Sequence, residues 1–345
     1  MSSPRIAVLG TGANGAVVGA DLIRAGHNVT FIEQWPEHVE TIRSDGIRIE
    51  IEEEGTFTTR VDRVLHLCDV ATLTEPFDIV FMLLKAYDTR WGCELIRPHV
   101  AADGVVVGVQ NGMTIDSIAE IMGSNRAVGS VIEVSSTMFE PGFVERHSPR
   151  SRSWFAVGTI DPAANRWLGH VAELLRCVGD VEITDDILSA KWMKLVINAA
   201  ELVPSAILGK PIADAARIPE MQQLMVAAGN EALDAALHLG RRIVPIFGLE
   251  NVAPDEPAVY VDRLIEKLLA DYVLEGTMST VLQDWKRGRH SEVDEINGLV
   301  VRTLPAGVAP VNSAVVEVAH RIETGELEPG ESNLSMLAAL ASESA

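Results

Sequence analysis

The sequence has few cysteines and far fewer basic than acidic residues. Cys68, Cys93 and Cys177 are an odd number of thiols at wide spacing, a pattern typical of neither a disulfide framework nor a zinc site. We therefore predict no metal centre. Lys and Arg number 28 against 49 Asp and Glu, which gives a net charge of −21. Because a nucleic-acid partner is held by an excess of basic residues, this balance argues against nucleic-acid binding.

Long uncharged apolar runs are absent as well. No run is long enough to span a bilayer, and the first predicted strand begins too close to Met1 to leave room for a signal peptide. We therefore expect a cytoplasmic protein with no membrane partner. The chain has 345 residues, of which 47% are hydrophobic and 22% charged, so it is long enough for two globular domains.

A glycine-rich turn follows the first apolar stretch. Residues 5–9 predict a short buried strand, and they run into GTGANG, after which helical spacing continues to residue 25. In a dinucleotide-binding βαβ unit such glycines permit the tight turn, the approach of the pyrophosphate and close helix packing. The phosphates then lie on the N–H groups at the helix N-terminus. A turn without a ligand is the alternative, and the predicted cofactor-binding residues are Gly10, Gly12, Ala13, Asn14 and Gly15.

An acidic residue stands where the adenosine ribose is expected. A second apolar run ends at Glu33, eighteen residues after Gly15. A carboxylate at about this spacing, roughly 20 residues, binds the ribose hydroxyls and disfavours a 2′-phosphate. NAD is therefore favoured over NADP, although Arg43 or another loop could still hold a phosphate.

The pattern of strands and helices changes in the middle of the chain. Up to residue 185 strands and helices alternate, which predicts an α/β fold with a Rossmann-type, doubly wound parallel sheet. Residues 129–134, 136–144 and 154–158 are expected to close that sheet. From residue 186 to 345 helical patterns dominate, at 187–207, 221–239, 259–269 and 292–302, and predict an all-α domain. Ser291 is expected to cap the last of these helices, a loop at 245–257 to interrupt the domain, and the tail from Glu326 to be loosely ordered.

One predicted helix carries a polar stripe. Lys191, Lys194, Asn198 and Glu201 are three, four and three residues apart, so they share one face of an otherwise apolar helix. Such a stripe is either a solvated surface or the lining of a site. In a site, a lysine ammonium could donate a proton to a carbonyl oxygen as hydride arrives.

Together these features resemble the ketopantoate reductase family (2-dehydropantoate 2-reductase, the PanE/ApbA type). The resemblance covers most of the chain and is carried by four stretches: GTGANG at 10–15, QNG at 110–112, KWMKLVIN at 191–198 and TVLQDWKRGRHSEVDEING at 280–298. It implies a nicotinamide cofactor on the Rossmann domain and a small acid substrate in the cleft against the helical domain.

The resemblance also implies catalytic and substrate-binding residues. The family's general acid is a lysine four residues before an asparagine, which here are Lys194 and Asn198. The glutamate of the Glu-x-Asp-x-x-Asn-Gly run, here Glu292, helps to hold substrate and lysine. A hydroxyl residue at the start of that stretch contacts the substrate and is Thr280 here, where serine is more usual.

Further residues follow from the same resemblance, together with two departures from it. Asn111 is expected near the nicotinamide and the substrate, and Lys85 on the cofactor side of the cleft. The family's second asparagine, four residues after the first, is replaced by Leu202. The basic residue that NADP-dependent members carry after the second strand is replaced by Glu33.

We therefore expect an NAD-dependent oxidoreductase that transfers hydride between nicotinamide C4 and the 2-carbon of a small 2-oxo or 2-hydroxy acid. Lys194 would give or take the hydroxyl proton. Two alternatives remain open: ketopantoate reductase proper, which is NADPH-dependent and supplies pantoate, and a non-catalytic dinucleotide sensor. A sensor would need neither Lys194 nor Glu292. The apolar helices of the second domain would permit a homodimer without requiring one.

Overall fold

The computed structural model describes residues 3–51, 54–249 and 257–343. The chain divides into two compact units, Met1–Ile187 and Leu188–Ala345. Among the described residues no helix is both long and apolar enough to cross a membrane.

The first unit alternates strands and helices. Its strands are β1 (Ile6–Leu9), β2 (Val29–Glu33), β3 (Ile47–Ile51), β4 (Gly55–Thr59), β5 (Arg63–His66), β6 (Phe77–Met82), β7 (Val100–Val109), β8 (Ala127–Glu133), β9 (Ser136–Thr137), β10 (Phe143–Arg146), β11 (Trp154–Gly158) and β12 (Asp180–Ile183). Its helices are α1 (Ala13–Arg24), α2 (Pro36–Asp45), α3 (Thr89–Ile96), α4 (Ile115–Met122) and α5 (Leu168–Leu175).

Eight strands form the main sheet in the order β12, β11, β8, β7, β6, β1, β2, β5. All neighbours are parallel except β8 and β11. Both faces are buried: Ile6 and Val8 of β1 belong to one apolar cluster, and Ala7 and Leu9 to the other. This alternation, with helices on both faces, is the doubly wound arrangement, so the predicted fold class is confirmed.

A second sheet corrects one prediction. Residues 136–144, expected to close the main sheet, contribute β9 and β10 to a separate sheet in the order β4, β3, β10, β9. In this sheet β3 pairs with β4 in an antiparallel register, and residues 52 and 53 of the connection between them lie outside the described residues. Ile49 and Val144 of this small sheet join the apolar cluster beside α1. Burial against that helix, which no local pattern encodes, therefore decides where these strands pair.

A buried arginine fixes the small sheet to α1. Arg146 of β10 donates to Asp21 of α1 at 2.6 Å, and its other N–H groups donate to Ser148 O, Ser153 Oγ and Val178 O at 2.7, 3.0 and 2.8 Å. Burial raises the pKa of Asp21, against the opposing charge of Arg146. The guanidinium has a bond from each of its nitrogens, as a buried charge requires.

Among its described residues the second unit contains helices and no strand. Its helices are α6 (Ile187–Ile207, whose first residue belongs to the first unit), α7 (Ile212–Ala216), α8 (Pro219–His238), α9 (Pro257–Asp271), α10 (Thr280–Lys286), α11 (Asn297–Thr303), α12 (Pro310–Glu323) and α13 (Asn333–Glu343). The predicted α6 is confirmed residue for residue. In the loop predicted at 245–257, residues 250–256 lie outside the described part.

Two predictions in this unit are wrong. Residues 327–343 are ordered, since they contain α13, and Asn333 at the start of α13 donates to the carbonyls of Ile207 and Glu328. Ser291 caps no helix, because its hydroxyl donates to the Glu323 carboxylate and α11 begins only at Asn297. A partner 32 residues away thus replaces the local cap.

Candidate active site

The glycine turn has the space that a dinucleotide requires. Gly10 has a φ of +88°, and a Cβ there would lie 2.9 Å from the backbone of Leu83 and Leu84. A Cβ on Gly15 would lie 2.0 Å from the Gly10 carbonyl oxygen. Gly12 differs, because a Cβ there would meet nothing within 4 Å. Packing thus requires glycine at positions 10 and 15, and the open space beside Gly12 leaves room for a pyrophosphate.

The N-terminus of α1 also suits an anion. Among the described residues no side chain caps it, and its first turn has no acidic residue, so the helix dipole and the first N–H groups favour an anion there. The residues of the turn therefore fit a dinucleotide.

The turn is held in place from two sides. Ser136 Oγ donates to Asn14 Oδ1 at 2.6 Å. His38, fully buried, lies 2.9 Å through Nε2 from the Thr11 carbonyl, and its Nδ1 accepts from Gly142 N–H at 2.8 Å. Since Nδ1 accepts, Nε2 carries the proton in the neutral ring. Both bonds connect the turn to the small sheet or its adjacent loop.

Glu33 ends β2 beside this turn and is 6% exposed. One of its oxygens accepts from Thr11 N and Oγ1 at 2.7 and 3.0 Å, and the other from Gln34 N and Trp35 N at 2.8 and 3.0 Å. A carboxylate has about four acceptor positions. The protein already uses them, so a ribose hydroxyl has to share or displace one of these donors.

Arg43, the basic residue that could have held a 2′-phosphate, is engaged by the protein. Its guanidinium donates to the Val64 carbonyl at 2.9 Å, to Asp69 at 2.8 Å and to Glu40 at 2.7 Å. A phosphate would therefore compete with two carboxylates for this side chain.

Lys85 and Asn111 follow the neighbouring strands β6 and β7. Both are half-buried, and Gln110 links their strand ends: its amide nitrogen donates to the Leu84 carbonyl at 2.8 Å and to Thr89 Oγ1 at 3.0 Å. The first unit thus places the glycine turn, Glu33, Lys85 and Asn111 at the carboxyl ends of four adjacent parallel strands. Ligands of open α/β sheets bind at this edge.

The polar stripe of α6 is buried. Lys191, Lys194, Asn198 and Glu201 are 3, 7, 1 and 6% exposed. This excludes the solvated face, one of the two interpretations of the sequence. Burial lowers the pKa of Lys191 to about 8, and the ammonium of Lys194 lies 5.2 Å from the centroid of the Phe247 ring. Neither the Lys191 shift nor the Phe247 contact was predicted, because both depend on tertiary packing.

Thr280 and Glu292 both belong to the stretch at 280–298, and Thr280 is its first residue. Thr280 is the first residue of α10, which Ser279 caps by accepting from Leu282 N–H. The Thr280 Oγ1 atom is buried, with no hydrogen-bond partner in the part of the chain that the structure describes. A buried hydroxyl of this kind is expected to have a partner, so it can accept a ligand hydrogen bond.

Glu292 is 4% exposed and belongs to a turn, not to the first turn of a helix as predicted. Its carbonyl accepts from Glu295 and Ile296 N–H. At the end of this turn Asn297 donates to the Ala199 carbonyl of α6 at 3.0 Å. The turn is therefore fixed to the helix that carries Lys194 and Asn198. The described residues contain no cluster of metal-ligating side chains.

The first unit has the architecture of nicotinamide-dinucleotide oxidoreductases: a parallel sheet with a glycine turn after β1 and polar residues at adjacent strand ends. Comparison with known proteins agrees with this assignment of the fold. The model of "Ketopantoate reductase PanE/ApbA" matches residues 6–159, and that of its C-terminal part matches residues 186–323. The chain belongs to the ketopantoate reductase family, and is an NAD(P)-dependent oxidoreductase acting on CH–OH groups.

Individual relatives extend over nearly the whole chain. The 2-dehydropantoate 2-reductase of Archaeoglobus fulgidus is 26% identical over 94% of this chain and 100% of its own length, and that of Pyrococcus horikoshii is 26% identical over 86% and 89%. A PanE/ApbA family ketopantoate reductase from Ralstonia eutropha superposes with a TM-score of 0.75 at 26% identity, covering 93% of this chain and 99% of its own. D-mandelate dehydrogenase, solved with NADH and anilino(oxo)acetate, shares the fold with a TM-score of 0.81 at 18% identity, over 93% and 98%.

Proposed function

We propose that this enzyme uses NAD and interconverts a small 2-oxo acid and its 2-hydroxy acid, with Lys194 as the proton donor in reduction. The observation that carries the proposal is the burial of Lys194 and Asn198 on one face of α6. A lysine and an amide are expensive to bury. A role in proton transfer to a developing alkoxide would explain why these side chains are buried despite that cost.

The residues of the second unit are assigned by their chemistry. The Lys194 ammonium donates to the oxygen on the 2-carbon, and Asn198 orients that oxygen. Thr280, whose buried hydroxyl has no partner among the described residues, bonds the substrate. Glu292, on the turn fixed to α6, helps to hold substrate and lysine. When bound, the nicotinamide supplies hydride to the 2-carbon in reduction and accepts it in oxidation.

In the first unit, Gly10, Gly12, Ala13, Asn14 and Gly15 would bind the pyrophosphate. Glu33 supports the preference for NAD, because its charge disfavours a 2′-phosphate. Lys85 and Asn111, at the ends of adjacent strands, would contact the cofactor, and Asn111 also the substrate.

One difference from the family motif narrows the range of candidate substrates. Leu202, 6% exposed, replaces the second asparagine of the family motif by an apolar side chain. We therefore propose that the preferred substrate is a small 2-oxo acid whose side chain is less polar than that of ketopantoate. Ketopantoate itself is the second candidate, because relatives along most of the chain are named 2-dehydropantoate 2-reductase.

The test is the loss of absorbance at 340 nm with NADH and NADPH in parallel, against ketopantoate and a panel of alkyl and aryl 2-oxo acids. We expect NADH-linked turnover of one of these acids. Lys194→Ala should lower kcat by about 10²- to 10⁴-fold and leave NADH binding intact. The control is Lys267→Ala, whose lysine pairs with Asp271. Normal turnover in Lys194→Ala would disprove the assignment, and fast NADPH-linked turnover of ketopantoate would establish the second candidate.

A further inference from the structure

Phe247 has an unusual backbone conformation. Of the residues that the structure describes, it is the only non-glycine residue with a positive φ, 58°, and Gly248 follows with a φ of 62°. Leu249 N–H donates to the Ile246 carbonyl at 2.9 Å. Phe247 and Gly248 are thus the central residues of a turn with two left-handed positions, where Asn, Asp and Gly are favoured. An aromatic residue there is strained, and such strain concentrates at functional sites.

Packing holds Phe247 in this conformation. Its side chain is 1% exposed, and its ring lies 5.2 Å from the ring of Tyr272, tilted by 45°. Ile246 beside it is fully buried. The burial of two consecutive apolar side chains offsets the strain of the turn.

The ring of Phe247 faces a charged group. Its centroid lies 5.2 Å from Nζ of Lys194, within the roughly 6 Å over which an ammonium is attracted to an aromatic face. A lysine ammonium is a point charge on a flexible four-carbon stem, so a buried lysine needs neighbours to fix the position of Nζ. The aromatic face provides one without accepting the proton.

We propose that Phe247 is a positioning residue for Lys194, held in a strained turn so that its ring fixes the ammonium in the position from which it donates a proton. This inference rests on the proposed function, because it concerns the lysine to which proton transfer is assigned.

Two substitutions test the ring. In Phe247→Leu, which keeps apolar bulk and removes the aromatic face, we expect kcat for reduction of the 2-oxo acid to fall about tenfold, a change of about 1.4 kcal/mol. KM and the NADH dissociation constant should stay within about twofold, because the ring acts on proton transfer and not on binding. Phe247→Tyr keeps the aromatic face and should retain most of the wild-type kcat.

A matched control is available in the first unit. Phe77 is also 1% exposed and also faces a cation, with the Arg5 guanidinium carbon 5.5 Å from its centroid. It lies at the start of β6, at the opposite end of that strand from Lys85. Phe77→Leu should therefore cost stability without changing kcat. Equal losses of kcat in Phe77→Leu and Phe247→Leu would overturn the proposal.

The double variant Lys194→Ala/Phe247→Leu separates this inference from the proposed function. A ring that acts through Lys194 should have no further effect once the lysine is gone, so additive losses of kcat would refute it. If Lys194→Ala itself turns over normally, the proposed function fails. If Lys194→Ala is inactive and Phe247→Leu is normal, only the role of Phe247 fails.

A spectroscopic measurement needs no turnover. In ¹³C-lysine-labelled protein the Cε–Hε signal of Lys194, assigned by its loss in Lys194→Ala, should be shifted upfield by the aromatic ring. The shift should vanish in Phe247→Leu and persist in Phe247→Tyr; a signal that Phe247→Leu leaves unmoved would refute the contact. Should Phe247→Leu fail to fold, Phe247→Asn, which tolerates the left-handed backbone and also lacks the ring, is judged by the same criteria.

Discussion

Glu33 is the residue on which the proposed preference for NADH depends, and Glu33→Gln is its most direct test because it removes the charge and keeps the shape. A carboxylate and a unit of phosphate charge about 6 Å apart, at an effective dielectric constant of about 20, repel by roughly 3 kcal/mol. Screening over a Debye length of about 8 Å halves this to about 1.4 kcal/mol. We therefore expect the wild-type enzyme to bind NADH about tenfold more tightly than NADPH.

The assay is fluorescence titration of both cofactors, and the quantity of interest is the ratio of their dissociation constants. In Glu33→Gln this ratio should fall towards one. The variant should also lose about 2 kcal/mol of stability, because the amide nitrogen of Gln would face two of the four donors that the carboxylate satisfies. The ratio is independent of that loss while the protein is folded. Glu37→Gln, at an exposed position of α2, is the control for charge alone. An unchanged ratio in Glu33→Gln would refute the reasoning.

Three further predictions concern buried polar groups. Arg146→Met should cost about 3–5 kcal/mol in urea unfolding, because it leaves Asp21 buried without its partner; a loss below 1 kcal/mol would contradict this. Burial lowers the pKa of Lys191 from 10.5 to about 8, so between these pH values the unfolded chain binds more protons and the free energy of unfolding rises with pH, by about 3 kcal/mol relative to Lys191→Met. Equal pH dependence in the two proteins would show that the lysine is not buried in solution. Asn333→Leu removes the donor to the Ile207 carbonyl, and should increase hydrogen exchange in α13 while sparing α8.

Local sequence patterns predicted much of the fold. The strand, glycine turn and helix of residues 6–24 and the whole of α6 follow from periodicity and from glycine chemistry, which act over a few residues. The predictions of a cap at Ser291 and of a loosely ordered tail were wrong for the opposite reason. Ser291 bonds Glu323, and Asn333 bonds Ile207, partners 32 and 126 residues away that no local pattern can reveal.

For the candidate site, too, local spacing predicted some features and only tertiary packing revealed the others. The spacing of the polar stripe predicted that Lys194 and Asn198 share a helix face, but spacing alone could not decide between solvent and interior. Their burial decided it. Phe247 gave no signal at all, because Ile-Phe-Gly resembles an ordinary apolar segment and a left-handed phenylalanine is stable only when the rest of the unit is folded around it.

The bonds between the glycine turn and the small sheet have a consequence for synthesis of the chain on the ribosome. Asn14 and His38 bond Ser136 and Gly142, partners more than one hundred residues further on. The glycine turn therefore cannot acquire its final hydrogen bonds when its own βαβ segment emerges, but only after residue 142 has followed. Contacts of such long sequence separation form late in folding. A nascent chain arrested before residue 136 should contain the strand and helix without a competent dinucleotide site, and transplanting the first fifty residues into another protein would not transfer the site.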